Sequence, residues 1–504
     1  MRTGLRNLPL DVLLRWLAAA VALVLLGVAG KLGYDWFEDA RTRCAAGVVE
    51  RGDDAECVGV TDGAHSFAPH LDRVTELIKK ENDKVVREAA ENGTDYVSIA
   101  YMTSFTLTES DTNSEASARR ELQGAYLAQL RHNSGDLRKT PKIRLLIANI
   151  GSNAGHWEHT VQELVRRQDT DDRLVAVAGL GPSTDENLAA LTRLSEEGLA
   201  TVASTMTATN IKDIEGFARV PPTNEDEAQA AAAYLKREGF RTAVVVQDVA
   251  GENLYAATLA RAFLDAYPDG DHTLVDPEPM PFDSSKDSWE TELYHMPAQL
   301  CQQLPEVVYF AGRGKHLTYF LERIAGRTCV DHEFTVMTGD DTTNLTAEEL
   351  EQAARTKVEV VYTGLAHPDM RQGAPPGVNL VDRQSAEHFG EEGLLAELFP
   401  KDPRDDGQAM VAHDSVLVAA TAATMAAEAG RQITGQAVGR MFHQMDAPNQ
   451  VPGASGWLSF QLDGNPVDKA VPILELTEDG VAVFRELSAA GGTPLEGEET
   501  GDGG

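Results

Sequence analysis

Two groups of hydroxyl side chains stand where apolar, strand-like segments of the sequence end. In open α/β sheets, ligands bind at the carboxyl ends of the strands. A helix that starts there offers unpaired backbone N–H groups and the positive end of its dipole, which suit a ligand carboxylate or another small anion. Helix capping by the hydroxyls, or an ordinary polar loop, would explain the same residues without a ligand. The first group is Ser183 and Thr184, and the second is Ser204, Thr205 and Thr207.

Aromatic and charged residues further along the chain could complete a ligand site. Tyr255 could cover an apolar ligand or face a ligand ammonium, although packing on its own helix is the alternative. Asp340 and Asp341 end a strand and could pair with a ligand amine, but capping or solvation would also account for them. Arg313 would instead suit an acidic ligand. The sequence therefore predicts an amphoteric clamp, with hydroxyls in the first half for an anion and a carboxylate in the second half for a cation.

The elements that would position these residues are two successive runs of alternating strands and helices. The first run begins near Asp95 and includes the apolar strand 143–149, and the second restarts with helix 227–238 and strand 242–247. Apolar strands that alternate with helices predict parallel sheets covered on both faces. Later elements are a long Ala-rich helix at 408–428 and a closing pair of strands at 456–462 and 471–476.

Length and charge restrict the classes of function. The 504 residues exceed what one compact core holds, so the chain is expected to divide into domains. A formal charge of -35 disfavours nucleic acid as a partner. The sequence shows no phosphate-binding loop, no dinucleotide fingerprint and no metal-ligand spacing. No cofactor, no metal and no catalytic activity are expected from it.

Four cysteines are present, and none belongs to a C-x-x-C pair. An even number of cysteines beyond a membrane segment fits two disulfides. Pairing of neighbours along the chain is the simplest arrangement, but the other two connectivities, or four unpaired buried thiols, remain open. The neighbouring pairs are Cys44 with Cys57 and Cys301 with Cys329.

The N-terminal region has the pattern of a membrane anchor. Residues 12–34 are long and apolar enough to span the hydrocarbon core of a bilayer. Arg2 and Arg6 precede the apolar run and Asp35 follows it, so residues 1–11 are expected in the cytoplasm and the bulk of the chain outside the cell. A cleaved signal peptide is the alternative. Residues 35–94 are expected to form an extracellular stalk.

Several short motifs occur in a fixed order between residues 95 and 480. The order resembles that of the type I periplasmic-binding proteins, in particular those that bind branched-chain amino acids and amides. The sequence departs from the family pattern in two motifs, because Thr205 stands in place of proline, and Ala256 and Thr258 replace the two glycines after Tyr255. The motifs are G-A-Y-L-A at 124–128, G-L-G-P-S-T at 179–184, F-A-R-V-P-P at 217–222, Y-A-A-T-L-A-R-A-F at 255–263 and A-H-D-S-V-L at 412–417.

The resemblance implies a two-lobed α/β fold that closes about hinges near 220–223, 366–369 and 446–452. Lobe 1 would comprise 95–220 with 368–447, lobe 2 would comprise 221–367 with 448–487, and 488–504 would be a disordered tail.

It also implies a solute-binding protein that closes on a small, amino-acid-like ligand for ABC-type uptake, with an ABC permease as its partner. Two alternatives stay open: a ligand-sensing ectodomain that signals through a membrane partner, and an interaction module that no longer binds a ligand. An extracellular enzyme is the least supported hypothesis, because no nucleophile–base arrangement is visible.

Overall fold

The computed structural model describes Trp16, Val21 and residues 42–492 apart from 135–140, 346, 357, 371–380, 403–406, 447 and 478–479. Apart from Trp16 and Val21, the predicted cytoplasmic tail and membrane helix lie outside the described residues, as do residues 493–504 of the predicted tail.

The first lobe is built on an eight-stranded mixed sheet in the order β1-β2-β3-β5-β4-β6-β7-β8. The strands β4 to β8 run parallel to one another, whereas β1, β2 and β3 add an antiparallel edge beside β5. All six residues of β6 are buried, as expected for a strand covered on both faces. The strands are β1 (Arg43–Ala45), β2 (Val48–Arg51), β3 (Glu56–Thr61), β4 (Tyr96–Thr103), β5 (Lys142–Asn149), β6 (Leu174–Gly179), β7 (Ala200–Ala203) and β8 (Phe217–Arg219).

The second lobe is built on another mixed sheet, in which β9 to β14 run parallel and the last two strands are antiparallel. A separate two-stranded hairpin, β15-β16, lies outside both sheets. The remaining strands are β9 (Thr242–Asp248), β10 (Thr273–Leu274), β11 (Met280–Phe282), β12 (Val307–Ala311), β13 (Thr335–Thr338), β14 (Glu359–Thr363), β15 (Val451–Gly453), β16 (Gly456–Leu458), β17 (Val471–Leu476) and β18 (Ala482–Ser488).

Helices cover both faces of each sheet. The helices are α1 (Asp72–Asn92), α2 (Glu115–Ser134), α3 (Trp157–Arg166), α4 (Asp185–Glu196), α5 (Asn224–Arg237), α6 (Leu254–Ala266), α7 (Trp289–Gln303), α8 (Gly314–Ala325), α9 (Ala347–Arg355), α10 (Arg383–Glu387), α11 (Leu394–Leu398), α12 (Gln408–Glu428) and α13 (Gly435–Gly439). In the first lobe, α1, α2 and α12 pack on one face of the sheet, and α3 and α4 pack on the other. In the second lobe, α5 and α6 face α7, α8 and α9 across the sheet.

The helix α12 is long and apolar enough to cross a membrane, but it is a core helix of the first lobe. It packs against α2 at Gly124, where a Cβ atom would lie 1.9 Å from the carbonyl oxygen of Ala409. This close approach of two backbones explains the glycine of the G-A-Y-L-A motif, since any side chain there would force the helices apart.

The predicted stalk is wrong for residues 42–92. These residues contribute β1, β2, β3 and α1 to the first lobe, and β3 pairs directly with β5. The short, Gly-interrupted strands lie at the edge of the sheet, and their alternation is too brief to be recognised from the sequence.

Two predictions about the end of the chain are also corrected. The segment 456–462 does not pair with 471–476; β16 pairs with β15, and β17 pairs with β18, which the sequence analysis missed. The strand β18 runs to Ser488, and a 3-10 turn follows at Ala490–Gly492, inside the range expected to be disordered.

Three crossings between the lobes are visible in the described residues. The first lies between Arg219 and Asn224, close to the predicted hinge at 220–223. The second follows Thr363, a few residues before the predicted 366–369. The third lies at Ala470 and Val471 rather than at 446–452, because the intervening hairpin packs on the first lobe.

Candidate ligand-binding cleft

The carboxyl ends of the parallel strands of the two lobes face each other across a cleft. Several hydrogen bonds cross it, and two of them join residues that were predicted for the site. The guanidinium of Arg313, in the second lobe, donates to the carbonyl oxygen of Ser183 over 2.9 Å. The hydroxyl of Thr207, in the first lobe, donates to Oδ1 of Asp340 over 3.4 Å. The lobes therefore touch, and the cleft is closed around its innermost residues.

The hydroxyls of the first predicted group already have partners within the first lobe. Oγ of Ser183 accepts hydrogen bonds from the backbone N–H groups of Thr207 and Ala208, each over 3.1 Å. Oγ1 of Thr184 accepts from the N–H of Asn187 and so caps α4. Ser183 thus joins the loop after β6 to the loop after β7, and Thr184 performs the capping role that the sequence left as an alternative.

The second predicted group lies on a loop that Arg219 holds in place. The guanidinium of Arg219 is fully buried and donates to the carbonyl oxygens of Met206 and Ala208 over 3.1 and 2.9 Å. Complete burial lowers the pKa of Arg219 to about 10, which still leaves it charged at neutral pH. On the same loop, Oγ of Ser204 lies 3.0 Å from the hydroxyl of Tyr101. Oγ1 of Thr205 is buried and has no hydrogen-bond partner among the described residues.

Arg313, Asp341 and Tyr255 form a compact group in the second lobe. Nη1 of Arg313 donates to Oδ1 of Asp341 over 3.0 Å, and both side chains are buried. The guanidinium also lies over the ring of Tyr255, 4.8 Å from its centroid. Tyr255 is 1% exposed and packs below the cleft rather than projecting into it. The cation that faces this tyrosine is therefore Arg313 of the protein itself.

Asp340 belongs to a second buried cluster, with Glu227 of α5. Oε2 of Glu227 accepts from the backbone N–H of Asp340 over 3.2 Å and from the hydroxyl of Thr363 over 2.6 Å. Burial raises the pKa of Glu227 well above its usual value, and the nearby Asp340 adds to the rise. Burial, followed by the charge of Asp341, raises the pKa of Asp340 to about 7. The pair is costly to ionise together, so one proton stays with it near neutral pH.

Above these clusters lies a cavity of about 370 Å³ whose walls come from both lobes. Of the predicted site residues, Thr184 and Arg313 line it, whereas the other predicted residues do not. Asp341 and Tyr255 contact Arg313, which lines the cavity. Ser183 holds together the two loops that follow β6 and β7. The lining residues missed from the sequence include Asp111, Asn187, Asn253, Lys315 and His316.

A signal for Lys315 and His316 was present in the sequence. They lie in the first turn of α8, four and five residues after the end of the apolar strand β12, and Ser183 and Thr184 have the same position relative to the end of β6. Asn187 lies in the first turn of α4. Asp111 comes from the loop after β4, for which the local sequence gave no indication of a site.

Comparison with known proteins finds solved structures with a similar fold, but it finds no match by sequence. No protein-family model matches the chain, and no curated protein matches it in sequence. A leucine-binding protein from Thermotoga maritima has 16% identity and a TM-score of 0.59, with 78% of this chain and 98% of that chain covered.

Two further structures have the same fold. An ABC-transporter substrate-binding protein from Desulfitobacterium hafniense with leucine has 15% identity and a TM-score of 0.56, with 78% of this chain and 100% of that chain covered. A solute-binding protein from R. palustris with benzoate has 14% identity and a TM-score of 0.56, with 80% of this chain and 98% of that chain covered. At these identities the likeness establishes a shared fold.

Proposed function

We propose that this chain, which has the fold of the type I periplasmic-binding proteins, is a solute-binding protein that closes its lobes on a small ligand. The observation that carries the proposal is the cavity of about 370 Å³ that both lobes line with polar side chains. Its volume is at the small end of the roughly 300–1,000 Å³ typical of ligand pockets. The structural neighbours crystallised with leucine and with benzoate make an amino acid or a small organic acid the first candidates.

The proposal includes an anchored, extracellular location. Residues 12–34 would hold the chain in the membrane with its N-terminus in the cytoplasm, and an ABC permease would receive the ligand. The disulfides Cys44–Cys57 and Cys301–Cys329 support a location outside the cytosol, where disulfides persist. The lobes would open and close about the crossings near residues 220–223, 363–365 and 470–471.

One observation favours a second candidate, a protein-interaction module that no longer binds a solute. Arg313 fills the inner cleft, pairs with Asp341 and reaches Ser183 in the other lobe. The protein thus supplies contacts across the cleft that a ligand would otherwise make. This candidate requires that no small molecule stabilises the fold.

A thermal-shift screen of the full chain in detergent would separate the two candidates. The compounds would be amino acids, their amides, small peptides and organic acids including benzoate. A ligand at about 100 times its dissociation constant should stabilise the fold by roughly 2.7 kcal/mol.

Ser110→Trp would place a large side chain at the exposed rim of the cavity and should abolish the shift. Glu109→Trp changes the preceding exposed residue, which does not line the cavity, and should leave the shift intact. No shift with any compound would favour the interaction module instead.

A further inference from the structure

A short 3-10 turn of the second lobe, Asp340–Asn344, is held by the first lobe at both of its ends. We call it the interlobe turn. At its start, the hydroxyl of Thr207 donates to Oδ1 of Asp340 over 3.4 Å. At its end, Nε2 of Gln408, in α12 of the first lobe, donates to Oδ1 of Asn344 over 3.0 Å. The interlobe turn is therefore a part of the second lobe on which the first lobe closes.

The middle of the interlobe turn adds a third contact between the lobes. Asp341 binds the guanidinium of Arg313 at 3.0 Å, and this guanidinium donates to the carbonyl oxygen of Ser183 in the first lobe. A displacement of the turn would thus disturb three of the hydrogen bonds that cross the cleft.

Asp340 is the acidic residue of this turn that meets the first lobe directly. Its side chain is 5% exposed and lies between Thr207 of the first lobe and Glu227 of α5. Opening of the cleft would take Thr207 away and admit water to the carboxyl group of Asp340. Glu227 is fully buried, and Thr363 and the N–H of Asp340, which donate to it, belong to the second lobe. Opening would therefore hydrate Asp340 and leave Glu227 buried.

This difference in hydration makes opening of the cleft depend on pH. Burial, followed by the charge of Asp341, raises the pKa of Asp340 to about 7 in the closed form. Hydration in an open form would return it toward the value of about 3.9 of an exposed aspartate. The closed form therefore binds a proton that the open form releases. The stabilisation of the closed form by this proton is complete below about pH 4 and is lost as the pH rises through about 7.

Other ionisable groups lie around the interlobe turn. Burial raises the pKa of Glu227 and of the two tyrosines well above their usual values, so these groups keep their protons in this pH range. Burial lowers the pKa of His316 to about 4, which leaves its ring neutral over most of the range. In the second lobe these groups are Glu227, Tyr255, Tyr309, Arg313, Lys315, His316 and Asp341; in the first lobe α2 contacts the turn and carries Arg120 and Glu121 where it packs on α12.

We propose that Asp340 is a pH-sensitive latch between the lobes: while its proton is bound, the interlobe turn stays packed against the first lobe, and loss of the proton favours opening of the cleft. The latch acts without a ligand, so it goes beyond the proposed solute binding and is tested on the empty protein. The affinity for any solute that binds the closed form would fall as the pH rises, since less of the protein is then closed.

Distances between two spin labels across the cleft, measured by pulsed electron resonance on the full chain in detergent, test the latch. One label replaces Asp53 in the exposed turn between β2 and β3, and the other replaces Asp287 in the exposed loop after β11. The four native cysteines form disulfides, so the labels react with the introduced thiols of Asp53→Cys and Asp287→Cys. A second pair, Asp53→Cys with Thr192→Cys, lies within the first lobe and serves as the control for the effect of pH on the labels.

The ratio of open to closed protein should rise about tenfold or more between about pH 5 and about pH 8 and change little at higher pH. The distance within the first lobe should stay constant. Asp340→Asn keeps the shape of the side chain but binds no proton, so this variant should stay mainly closed at every pH. Asp340→Ser, a smaller neutral variant, should likewise show no response to pH. Glu227→Gln changes the neighbouring acid and leaves Asp340 to titrate, so it is the matched control and should retain the response.

An interlobe distance that does not change with pH in the wild type would overturn the latch and leave the solute-binding function untouched. A response that persists in both neutral variants of Asp340 would also overturn it. The titrating group would then lie elsewhere, with Lys315 as the first to replace because its ammonium donates to the carbonyl oxygen of Ser110 across the cleft. Loss of the response in folded Glu227→Gln would overturn the assignment of the proton to Asp340, because the two acids would then titrate as one unit.

Discussion

The ammonium of Lys469 lies 2.7 Å from Oγ of Ser455, and both side chains are almost completely buried in the first lobe. Ser455 in turn donates to Oδ2 of Asp414 over 2.6 Å, and the imidazole of His413 lies 2.7 Å from Oδ1 of the same carboxylate. Arg131 approaches the other ring nitrogen of His413 at 3.0 Å. This network fastens the chain segment that leads into the third crossing onto α12.

Replacing Lys469 with methionine should strongly destabilise the fold. Burial lowers the pKa of Lys469 to about 8, so the ammonium is still mainly charged at neutral pH and compensates Asp414. Removing one member of a buried charge pair leaves the other uncompensated and costs about 3–5 kcal/mol. Urea unfolding near neutral pH would measure the loss, with Lys212→Met as the exposed control. A loss below about 1 kcal/mol would show that Asp414 does not need this cation.

The same network explains why the third crossing was misplaced from the sequence. The segment around Ser455 and Gly456 alternates like a strand of the second sheet, and the sequence gave no sign that Asp414 binds it to the first lobe. Asp414 accepts hydrogen bonds from the backbone N–H groups of Ala454 and Ser455, forty residues away along the chain. Such long-range contacts determine where the hairpin packs, and the local pattern of apolar residues cannot predict them.

Substitution of Asp340 with asparagine should reduce the dependence of stability on pH. Asp340 has a pKa of about 7 in the folded chain because burial and then the nearby charge of Asp341 disfavour its ionised form, whereas an exposed aspartate has a pKa of about 3.9. The folded chain therefore holds more protons than the unfolded chain between these values, and the free energy of unfolding falls as the pH rises from about 4 through 7.

Asp340→Asn removes this titration, so its free energy of unfolding should fall less than that of the wild type between about pH 5 and about pH 8, by on the order of 2 kcal/mol. Urea unfolding at both pH values would measure the difference. The exposed Asp271→Asn serves as the control. Identical slopes for wild type and Asp340→Asn would mean that the proton resides elsewhere in the cluster.

Gly339 should not tolerate alanine unless Tyr255 changes with it. A Cβ atom at Gly339 would lie 2.3 Å from the hydroxyl oxygen of Tyr255 and 2.8 Å from Cδ2 of Leu259. Gly339→Ala should therefore cost about 1–3 kcal/mol, as overpacking does. Tyr255→Phe removes the nearest atom and should recover part of that cost in the double variant, as a thermal-denaturation cycle of the four proteins would reveal. A purely additive cycle would contradict the packing described here.

The disulfide Cys301–Cys329 should stabilise the second lobe by constraining its unfolded chain. It closes a loop with a sequence separation of 28 residues, against 13 for Cys44–Cys57 in the first lobe. Replacing Cys301 and Cys329 together with alanine should cost about 3 kcal/mol and slightly more than the same change at Cys44 and Cys57, since the longer loop gains more from closure. Denaturant unfolding of both double variants, each checked by thiol titration, would measure this. The reverse order would indicate strain or residual structure at the longer loop.

More of the fold than of the ligand site could be predicted from the sequence. A continuous apolar run, as in β6 and β12, indicates a strand that is buried on both faces of a sheet. The end of such a run marks the carboxyl end of the strand, where a ligand cleft forms. The side chains that reach the cavity depend on packing between lobes, which the sequence does not show. Tyr255 was expected in the cleft, yet it lies beneath Arg313, whose position is determined by Asp341 and Ser183.

The pair Arg313 and Asp341 should therefore show strong energetic coupling. Arg313→Met leaves Asp341 buried with the N–H of Gly314 and the amide of Asn344 as its donors among the described residues, and should cost about 3–5 kcal/mol. Asp341→Asn leaves the guanidinium without a counter-charge in a nearly dry site and should cost a similar amount. The double variant removes both charges and should lose less than the sum of the single losses, with a coupling energy of about 2 kcal/mol or more. Urea unfolding of the four proteins would determine this coupling. A value near zero would mean that Arg313 is held by Ser183 and Tyr255 alone, and that its charge remains available to a ligand.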